Sequence, residues 1–394
     1  MRCFVLFLFA VFAVFTVPAG EISIGKKLIV HSDLIGEDRT VWIYTPVHKN
    51  DERLHVIYLL DGAEHFHTVT GVVKSLTDYG LMPKTMVVGI ETVDRPRDYL
   101  PKIAGEPQTD FQAFVVSKWP NSGQTDTFLQ FIRTELMPYI DKLYPTYPHR
   151  TLVGHSNGGT LALYSLFNQP DLFNNYLAMS PNGWWSHAEM VSNVEKLAGS
   201  KRPSEQLFLS VGGEGGRFYT GTLDLLALME QNKPSKLVWK FQHYPSRSHM
   251  SGILPALSDG LEYLFSHLTF PITPELAKYA DVSALTAHYA DVSNKIGFVM
   301  APPVNSYVAL AEAQAAQQRH AAAVTTSEKL IQAYPKLPYA HMVLGQRLLA
   351  AGQAKEAVVS FDQALMLGKA QKLDHQVLDA LTDMRKKAAE QPKP

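Results

Sequence analysis

The chain has 394 residues, of which 46% are hydrophobic and 19% are charged. This length and composition are typical of a globular protein with one or two domains and a sizeable core. The formal net charge is −1, a balance that gives no indication of binding to nucleic acid or to an anionic membrane surface.

The N-terminal segment has the pattern of a secretory signal peptide. Arg2 precedes an apolar run over residues 3–17, and small residues follow that run. We therefore predict a signal peptide over residues 1–19, with cleavage at its end or after Gly20, and export to a periplasm or to the extracellular space. An uncleaved membrane anchor is the alternative, although a bilayer span needs about 20 apolar residues. Cys3 is the one cysteine, so the mature protein would contain neither disulfides nor thiols.

Residues 20–270 alternate between strand-like and helix-like patterns. The strand candidates are short, continuous apolar runs, as expected for strands that are buried on both faces of a mostly parallel sheet. They lie at residues 40–44, 55–60, 85–90, 151–153, 175–179, 206–211 and 236–241. A helical stripe over residues 127–144 contains Pro138, which we expect to kink it. The alternation predicts an α/β domain with a mostly parallel sheet flanked by helices.

The most informative motif follows the strand candidate at 151–153. Gly154-His155-Ser156-Asn157-Gly158 interrupts the apolar pattern, and a helical apolar run comes next. This Gly-x-Ser-x-Gly sequence between a strand and a helix is the pattern of a nucleophile elbow, in which glycines permit a tight turn that exposes the serine hydroxyl. We predict that Ser156 is a nucleophile at a helix N-terminus. The alternative is an ordinary glycine-rich turn between a strand and a helix.

The predicted nucleophile requires two further groups, because a serine hydroxyl needs a general base and the base needs an orienting acid. In elbow folds the acid and then the histidine follow the serine along the chain. His249 lies in the loop after the last strand candidate and is the predicted base, with His243 as the alternative. Glu214, in the glycine-rich loop after strand candidate 206–211, is the predicted acid. Asp224 is the alternative acid, and a Ser-His dyad without an acid is also open.

An acyl oxygen that becomes negatively charged must be stabilised by two backbone N–H groups. Asn157 directly follows the nucleophile and is one predicted donor. Ala63 is the other, because the turn Asp61-Gly62-Ala63 ends an early strand candidate. This arrangement implies neither a metal ion nor an organic cofactor.

Two further segments follow strand candidates at the same edge of the sheet. Trp184 and Trp185 come after a Pro-Asn-Gly turn, and they either line a substrate pocket for an acyl or aromatic group or pack in the core. The arginines of segment 95–99 either meet an anionic substrate or pair with Asp94 and Asp98. We favour the pairing with the two aspartates.

The composition changes after residue 270. Residues 271–303, bounded by proline-containing breaks, are interpreted as a helical connector, and residues 304–390 are rich in Ala, Gln and Leu without a strand pattern. The latter contain a 34-residue repeat of tetratricopeptide type, with characteristic positions in its second unit at Leu344-Gly345, Ala357, Phe361 and Ala364. The alternative is a generic helical tail. Such repeats would bind a protein partner or self-associate, or they would serve as a structural buttress.

Several of these segments together resemble the esterase D-type family of α/β-hydrolases. This family includes enterobactin-type siderophore esterases, S-formylglutathione hydrolases, feruloyl esterases and the antigen 85 mycolyltransferases. The matching segments, in family order within residues 36–268, include Tyr58-Leu-Leu-Asp-Gly62, Arg95-Pro-Arg-Asp-Tyr-Leu-Pro101, Gly154-His-Ser-Asn-Gly-Gly159, Ser180-Pro-x-x-Trp-Trp185, Val211-Gly-Gly-Glu214 and His249. The C-terminal region is similar to that of family members with a tetratricopeptide tail.

The resemblance implies an α/β-hydrolase fold, with Ser156 as nucleophile, His249 as base, and Asn157 and Ala63 as oxyanion donors. The acid is placed variably in the family, and some siderophore esterases resemble dyads, so the identity of the acid stays open. Together, the residues and the resemblance predict an exported serine hydrolase that cleaves small-molecule or acyl esters. The alternatives are an acyltransferase with the same acyl-enzyme and a non-catalytic scaffold that acts through its repeats.

Overall fold

The computed structural model describes residues 23–48, 52–103, 105–107, 110–182, 194, 205–234, 237–296 and 298–391. The predicted signal peptide lies outside these ranges. Within them, no helix is both long enough and apolar enough to cross a membrane.

The described residues form an eight-stranded sheet at the centre of the N-terminal region. Its strands are β1 (Lys26–Ser32), β2 (Glu37–Tyr44), β3 (Leu54–Leu60), β4 (Thr85–Ile90), β5 (Thr146–His155), β6 (Asn175–Met179), β7 (Glu205–Gly212) and β8 (Leu237–Tyr244). Their spatial order is β1-β2-β4-β3-β5-β6-β7-β8. The pairs β1–β2 and β2–β4 are antiparallel, and all pairs among β3 to β8 are parallel. The predicted mostly parallel sheet is therefore confirmed.

Two strands differ from the sequence expectation. The sequence pattern misses β1, because its residues alternate between exposed and buried positions at the sheet edge instead of forming an apolar run. β5 begins at Thr146 rather than at residue 151, since its first half is polar and pairs irregularly with β3. Neither difference affects the carboxyl ends of the central strands, where the predicted site residues lie.

Helices cover both faces of the sheet in a three-layer arrangement. They are α1 (Gly62–Asp78), α2 (Arg95–Tyr99), α3 (Asp110–Lys118), α4 (Thr125–Phe131), α5 (Met137–Leu143), α6 (Asn157–Asn168), α7 (Gly216–Asn232) and α8 (Ile253–Phe265). Buried side chains of α1 and α8 form one apolar cluster with one face of the sheet. Those of α4 to α7 form a second cluster with the opposite face. Both faces of the central strands are thus buried, as their continuous apolar sequences predict.

A π-helical turn over Ile132–Leu136 separates α4 from α5. The sequence pattern predicts a single helix over residues 127–144 with a kink at Pro138. The irregularity instead lies just before the proline, which is the second residue of α5. A proline ring crowds the preceding turn and removes one helical N–H donor, so a locally wider turn relieves the conflict.

The C-terminal region is all-helical in its described part, as predicted. Its helices are α9 (Pro274–Tyr279), α10 (Val282–Ile296), α11 (Val304–Ala316), α12 (His320–Ala333), α13 (Pro338–Ala350), α14 (Ala354–Ala370) and α15 (His375–Ala389). A Cβ at Gly345 would lie 2.7 Å from Cε1 of Phe361, so the glycine permits α13 and α14 to approach closely. The tetratricopeptide assignment and the domain boundaries stay predictions.

The helical region is continuous with the core on one side of the sheet. Tyr289 of α10 and Tyr307 and Leu310 of α11 are buried in the same apolar cluster as the side chains of α1 and α8. The Asn305 side chain also donates to the carbonyl oxygen of Asp78 at the end of α1, at 3.4 Å. The first helices of the C-terminal region therefore pack directly on the α/β domain.

Candidate active site

Ser156 lies at a sharp turn between β5 and α6. Its φ and ψ are 58° and −120°, a strained combination for a residue with a side chain. Glycines surround it for steric reasons. A Cβ at Gly154 would lie 2.2 Å from the carbonyl oxygen of Gly158, and a Cβ at Gly159 would lie 3.0 Å from the carbonyl oxygen of Met179. The strand, the tight turn and the helix that the motif requires are therefore all present.

His249 and Glu214 meet at the carboxyl ends of neighbouring parallel strands. Glu214 follows β7 and His249 follows β8, and Nδ1 of the histidine lies 2.9 Å from Oε1 of the glutamate. Their loops are also joined, because the N–H of Gly213 donates to the carbonyl oxygen of Arg247 at 2.5 Å. The carboxylate oxygen of Glu214 can only accept its bond with His249, so Nδ1 of His249 carries a proton. When the ring is neutral, Nε2 is therefore the unprotonated nitrogen.

The alternative acid and base lie elsewhere. Asp224 is an exposed residue in the middle of α7, rather than at the start of a helix as its sequence context suggests. His243 is near the end of β8, where its ring packs on that of Tyr219 with 4.7 Å between centroids. Of the candidate residues, Glu214 and His249 are the pair in hydrogen-bond contact.

The surroundings of Glu214 favour its ionised form. Burial raises the pKa of this carboxyl and is the largest single effect. The Ser180 hydroxyl, the backbone N–H of Glu214 and the His249 ring oppose it, so the pKa lies below its usual value. A negative Glu214 beside Nδ1 would stabilise the imidazolium that forms when Nε2 takes up a proton.

His249 and Ser156 are not hydrogen-bonded to each other in this structure. Among the described residues, His249 bonds through Nδ1 to Glu214 and through its carbonyl oxygen to His155, but not through Nε2 to Ser156. The His249 ring is nevertheless near the elbow, since it packs against the ring of His155 with 4.4 Å between centroids. Without substrate, such catalytic hydrogen bonds are often long and tighten only in the complex.

The two predicted oxyanion donors lie in the first turns of two helices. Asn157 is the first residue of α6, and Ala63 is the second residue of α1. N–H groups in a first helical turn have no partner within the helix and favour negative charge. The two turns are in contact, since a Cβ at Gly158 would lie 3.4 Å from Oδ2 of Asp61. Two helix N-termini thus meet beside Ser156.

The turn that presents Ala63 has an unusual backbone conformation. Asp61 has φ 53° and ψ 52°, in the left-handed region. Its N–H donates to the Tyr99 hydroxyl at 3.0 Å. Gly62 packs so closely on β4 that a Cβ would lie 2.6 Å from the carbonyl carbon of Gly89. A hydrogen bond and a close backbone contact therefore fix this turn.

Arg95 connects this turn to the elbow. Nε and Nη2 lie 2.7 and 2.9 Å from the carboxylate oxygens of Asp61, and Nη2 also lies 3.0 Å from the carbonyl oxygen of His155. The expected pairing with the aspartates of its own segment is therefore wrong for Arg95, because the first residue of α2 faces the sheet edge where Asp61 lies. It is right for Arg97, whose Nε lies 2.9 Å from Asp98.

A buried ionic cluster anchors α2, whose Tyr99 accepts the hydrogen bond from the N–H of Asp61. Nη1 of the fully buried Arg39 lies 2.6 Å from Oδ2 of Asp98. Arg97 bonds to the other oxygen of Asp98 and, at 2.6 Å, to Glu37. The sequence indicates the pairing of Arg97 with Asp98, but not the part that Arg39 and Glu37 play in this cluster. The one sequence signal for that part is that Arg39 occupies an inward-facing position in the alternation of β2.

The described rim of the site includes an aromatic side chain. The ring of Phe218, in α7, lies 4.9 Å from that of His249. The predicted pocket residues Trp184 and Trp185 lie outside the described residues. Within the described ranges, no group of three or more His, Cys, Asp or Glu side chains is arranged to hold a metal ion.

This arrangement of elbow, histidine and acid coincides with a match to a known family. A family model described as "Putative esterase" matches residues 32–251, which is more than half of the chain. The chain belongs to this esterase family. The resemblance seen in the sequence motifs is thereby confirmed, while the likeness to members with a tetratricopeptide tail stays a prediction.

Individual relatives of this chain are distant. The ferri-bacillibactin esterase BesA of Bacillus subtilis is 30% identical over 162 residues, which are 38% of this chain and 55% of that protein. The siderophore triacetylfusarinine C esterase of Aspergillus fumigatus is 24% identical over 249 residues, 58% of this chain and 76% of that protein. The match thus spans only 55% of the length of the first relative.

A solved structure shares the fold. The IroE-like serine hydrolase from Shewanella oneidensis is similar with a TM-score of 0.66 and 24% identity. The similarity covers 79% of this chain and 99% of that chain. The predicted α/β-hydrolase fold is thereby confirmed.

Proposed function

We propose that this protein is a serine hydrolase that cleaves carboxylic esters through an acyl-enzyme on Ser156. The observation that carries the proposal is the 2.9 Å hydrogen bond between His249 and Glu214, which lie beside the strained elbow. Membership of the esterase family supports the same chemistry. Nucleophile, base and acid then have the chain order that elbow folds use.

In the proposed reaction, Nε2 of His249 takes the proton of the Ser156 hydroxyl as Oγ attacks the acyl carbon. Glu214 accepts the bond from Nδ1–H and stabilises the imidazolium. The N–H groups of Asn157 and Ala63 donate to the oxyanion of the tetrahedral intermediate. Nε2 then returns the proton to the leaving alcohol oxygen as the ester C–O bond breaks. Water, deprotonated by the same nitrogen, attacks the acyl-enzyme, which releases the carboxylic acid and restores the serine.

We infer that the substrate is a small-molecule ester. By name, one relative described above is a siderophore triacetylfusarinine C esterase and the other is a ferri-bacillibactin esterase, which makes a siderophore ester the first candidate to test. Transfer of the acyl group to an alcohol acceptor would use the same acyl-enzyme. Product analysis with and without added alcohols distinguishes the two, since hydrolysis gives free acid in both cases, whereas transfer gives a new ester only with the acceptor.

Export and the role of the helical region are also part of the proposal. The basic start and apolar run of residues 1–19 support a cleaved signal peptide. A mature N-terminus at Gly20 or Glu21 in the exported fraction would support it, whereas retention of Met1 would contradict it.

For the helices after residue 304 we propose tetratricopeptide-like repeats. Their packing on the α/β domain supports a buttress, and the mass in solution tests self-association.

The function is tested with purified full-length chain and a panel that contains an activated aryl ester and siderophore esters. Ser156→Ala and His249→Gln are each expected to lower kcat by more than about a thousand-fold, because each removes a group that acts in concert with the other. Ser75→Ala, an exposed position on α1, is the matched control and should retain wild-type activity. Wild-type activity in Ser156→Ala would exclude the proposed mechanism.

A further inference from the structure

His155 is a buried imidazole that the proposed reaction does not use directly. It is the last residue of β5 and directly precedes Ser156, and 4% of its surface is exposed. Burying polar ring nitrogens costs free energy unless they are hydrogen-bonded. The partners of this ring therefore indicate what it does.

The ring makes a long-range hydrogen bond to the loop that carries the proposed base. Nε2 of His155 lies 2.9 Å from the backbone carbonyl oxygen of His249. A carbonyl oxygen only accepts, so Nε2 carries the proton and donates. The two rings also pack together, with 4.4 Å between centroids and an angle of 47°. His155 thus contacts both the backbone and the side chain of His249.

The base loop, defined as residues 245–252, is exposed over residues 245–248. Hydrogen bonds between its own serines act within the loop. The bond from the Gly213 N–H to the Arg247 carbonyl oxygen connects it to the loop of the acid. The bond from His155 connects it to the elbow. The base loop is therefore held from two sides, by the acid loop and by the strand that ends at the nucleophile.

We propose that His155 is a positioning residue that holds the base loop against the elbow, so that Nε2 of His249 stays within reach of the Ser156 hydroxyl. The inference rests on the proposed function, because it assigns His155 a role in the same site. Displacing reacting groups by about 1 Å can lower a rate about a hundred-fold. We therefore expect that loss of the bond that fixes the His249 carbonyl lowers the rate of turnover.

The charge state of His155 suits this role. Burial lowers the pKa of His155 to about 3, with further contributions from His249, His65 and Arg95. The ring is neutral near pH 7 and donates from one nitrogen only. It therefore places no second positive charge beside His249 when that ring takes up the serine proton.

Three substitutions in the full chain test the proposal. His155→Gln keeps a donor at the position of Nε2, His155→Met has the same length without a donor, and the amide of His155→Asn is too short to reach the carbonyl oxygen. For the Met and Asn variants we expect kcat to fall about ten- to hundred-fold with KM changed by less than about two-fold. The Gln variant should remain within about three-fold of wild type. Melting temperatures establish that each variant is folded.

The outcomes separate positioning from packing. A kcat near that of the wild type in His155→Gln but not in His155→Met supports the proposal, since the two side chains have the same length and differ in the hydrogen-bond donor. Equal kcat in the Gln and Met variants, or wild-type kcat in the Met variant, overturns it. Should the Met variant not fold, the comparison of Asn with Gln decides in the same way. Failure of the proposed function is a separate result, because it would appear as activity in Ser156→Ala whatever the His155 variants do.

Discussion

Arg95 and Asp61 form a two-point ion pair, with Nε and Nη2 of the guanidinium 2.7 and 2.9 Å from the two carboxylate oxygens. The same Nη2 lies 3.0 Å from the carbonyl oxygen of His155. One side chain therefore holds both the turn before Ala63 and the residue before Ser156. Because these segments carry a proposed oxyanion donor and the proposed nucleophile, their relative position depends on Arg95.

Arg95→Met is expected to lower kcat/KM by about a hundred-fold or more, since it frees the turn and leaves Asp61 buried without its counter-ion. Arg95→Lys keeps the charge but not the two-point geometry, so only part of the activity should return. Steady-state kinetics with an activated ester measure both. Arg133→Met is the control, because it removes a surface pair with Asp171 and should leave kcat/KM unchanged. Wild-type kcat/KM in Arg95→Met would contradict this account.

Glu214→Gln is expected to lower kcat by about 10²- to 10⁴-fold, because the amide can donate to Nδ1 of His249 and favour the wrong tautomer. Asp224→Asn, at an exposed position in α7, should behave as wild type. Single-turnover rates of acylation measure the effect. Impairment in Asp224→Asn alone would reverse the assignment of the acid, and impairment in neither would indicate a dyad.

Stability is expected to fall as the pH is lowered from about 6.5 towards 4. Burial lowers the pKa of His149 and His155 to about 3 and that of His267 to about 4, all from a usual value of 6.5. In this window the three histidines bind protons in the unfolded chain but not in the folded chain. Their contribution to the free energy of unfolding is therefore fully present above pH 6.5 and is lost as the pH falls. Each histidine adds a slope of up to about 1.4 kcal/mol per pH unit.

The free energy of unfolding at pH 6 and pH 5 measures this slope. His149→Leu removes one of the buried groups and should make the slope shallower by about 1 kcal/mol per pH unit. His375→Gln, at an exposed position, should leave the slope unchanged. An identical slope in wild type and His149→Leu would show that His149 titrates alike in both states.

Leu310→Ala tests whether the helical region supports the α/β domain. Leu310 is fully buried in the apolar cluster that includes α1 and α8, so the change should lower the free energy of unfolding by about 2–5 kcal/mol. All five tryptophans precede residue 270, so fluorescence reports the α/β domain while far-ultraviolet dichroism also reports the helices. We expect both signals to shift together. Val359→Ala, at an exposed position, should change stability by less than about 0.5 kcal/mol.

A fluorescence transition that Leu310→Ala leaves unchanged would contradict the buttress. It would indicate that the helices after residue 304 unfold as an independent module, and would favour a role in binding or self-association.

The elements of the site differ in how far the sequence predicts them. The elbow has a local glycine pattern, and Glu214 and His249 each follow a strand in the expected order, so the 2.9 Å contact between them is anticipated. The bonds from Arg95 to Asp61 and from His155 to the base loop join residues far apart in the chain. Their pairing depends on how strands and loops are arranged in space, which periodicity does not describe.

The fold shows the same division. The continuous apolar runs predict the parallel core, because strands that are buried on both faces consist mostly of apolar residues. The edge strand β1 and the π-helical turn before Pro138 have no such pattern. The expected buttress anticipates that the helical region packs on the α/β domain, but not that α10 and α11 make the contact, since an apolar helical stripe does not specify what covers it.

Covalent labelling with a fluorophosphonate, followed by mass mapping of the peptides, tests Ser156 as the nucleophile most directly. We expect one adduct per chain, on Ser156, in the wild type and in Ser75→Ala, and no adduct in Ser156→Ala. His249→Gln should be labelled much more slowly, because the serine lacks its base. An adduct on a different residue, or undiminished labelling of Ser156→Ala, would contradict the account.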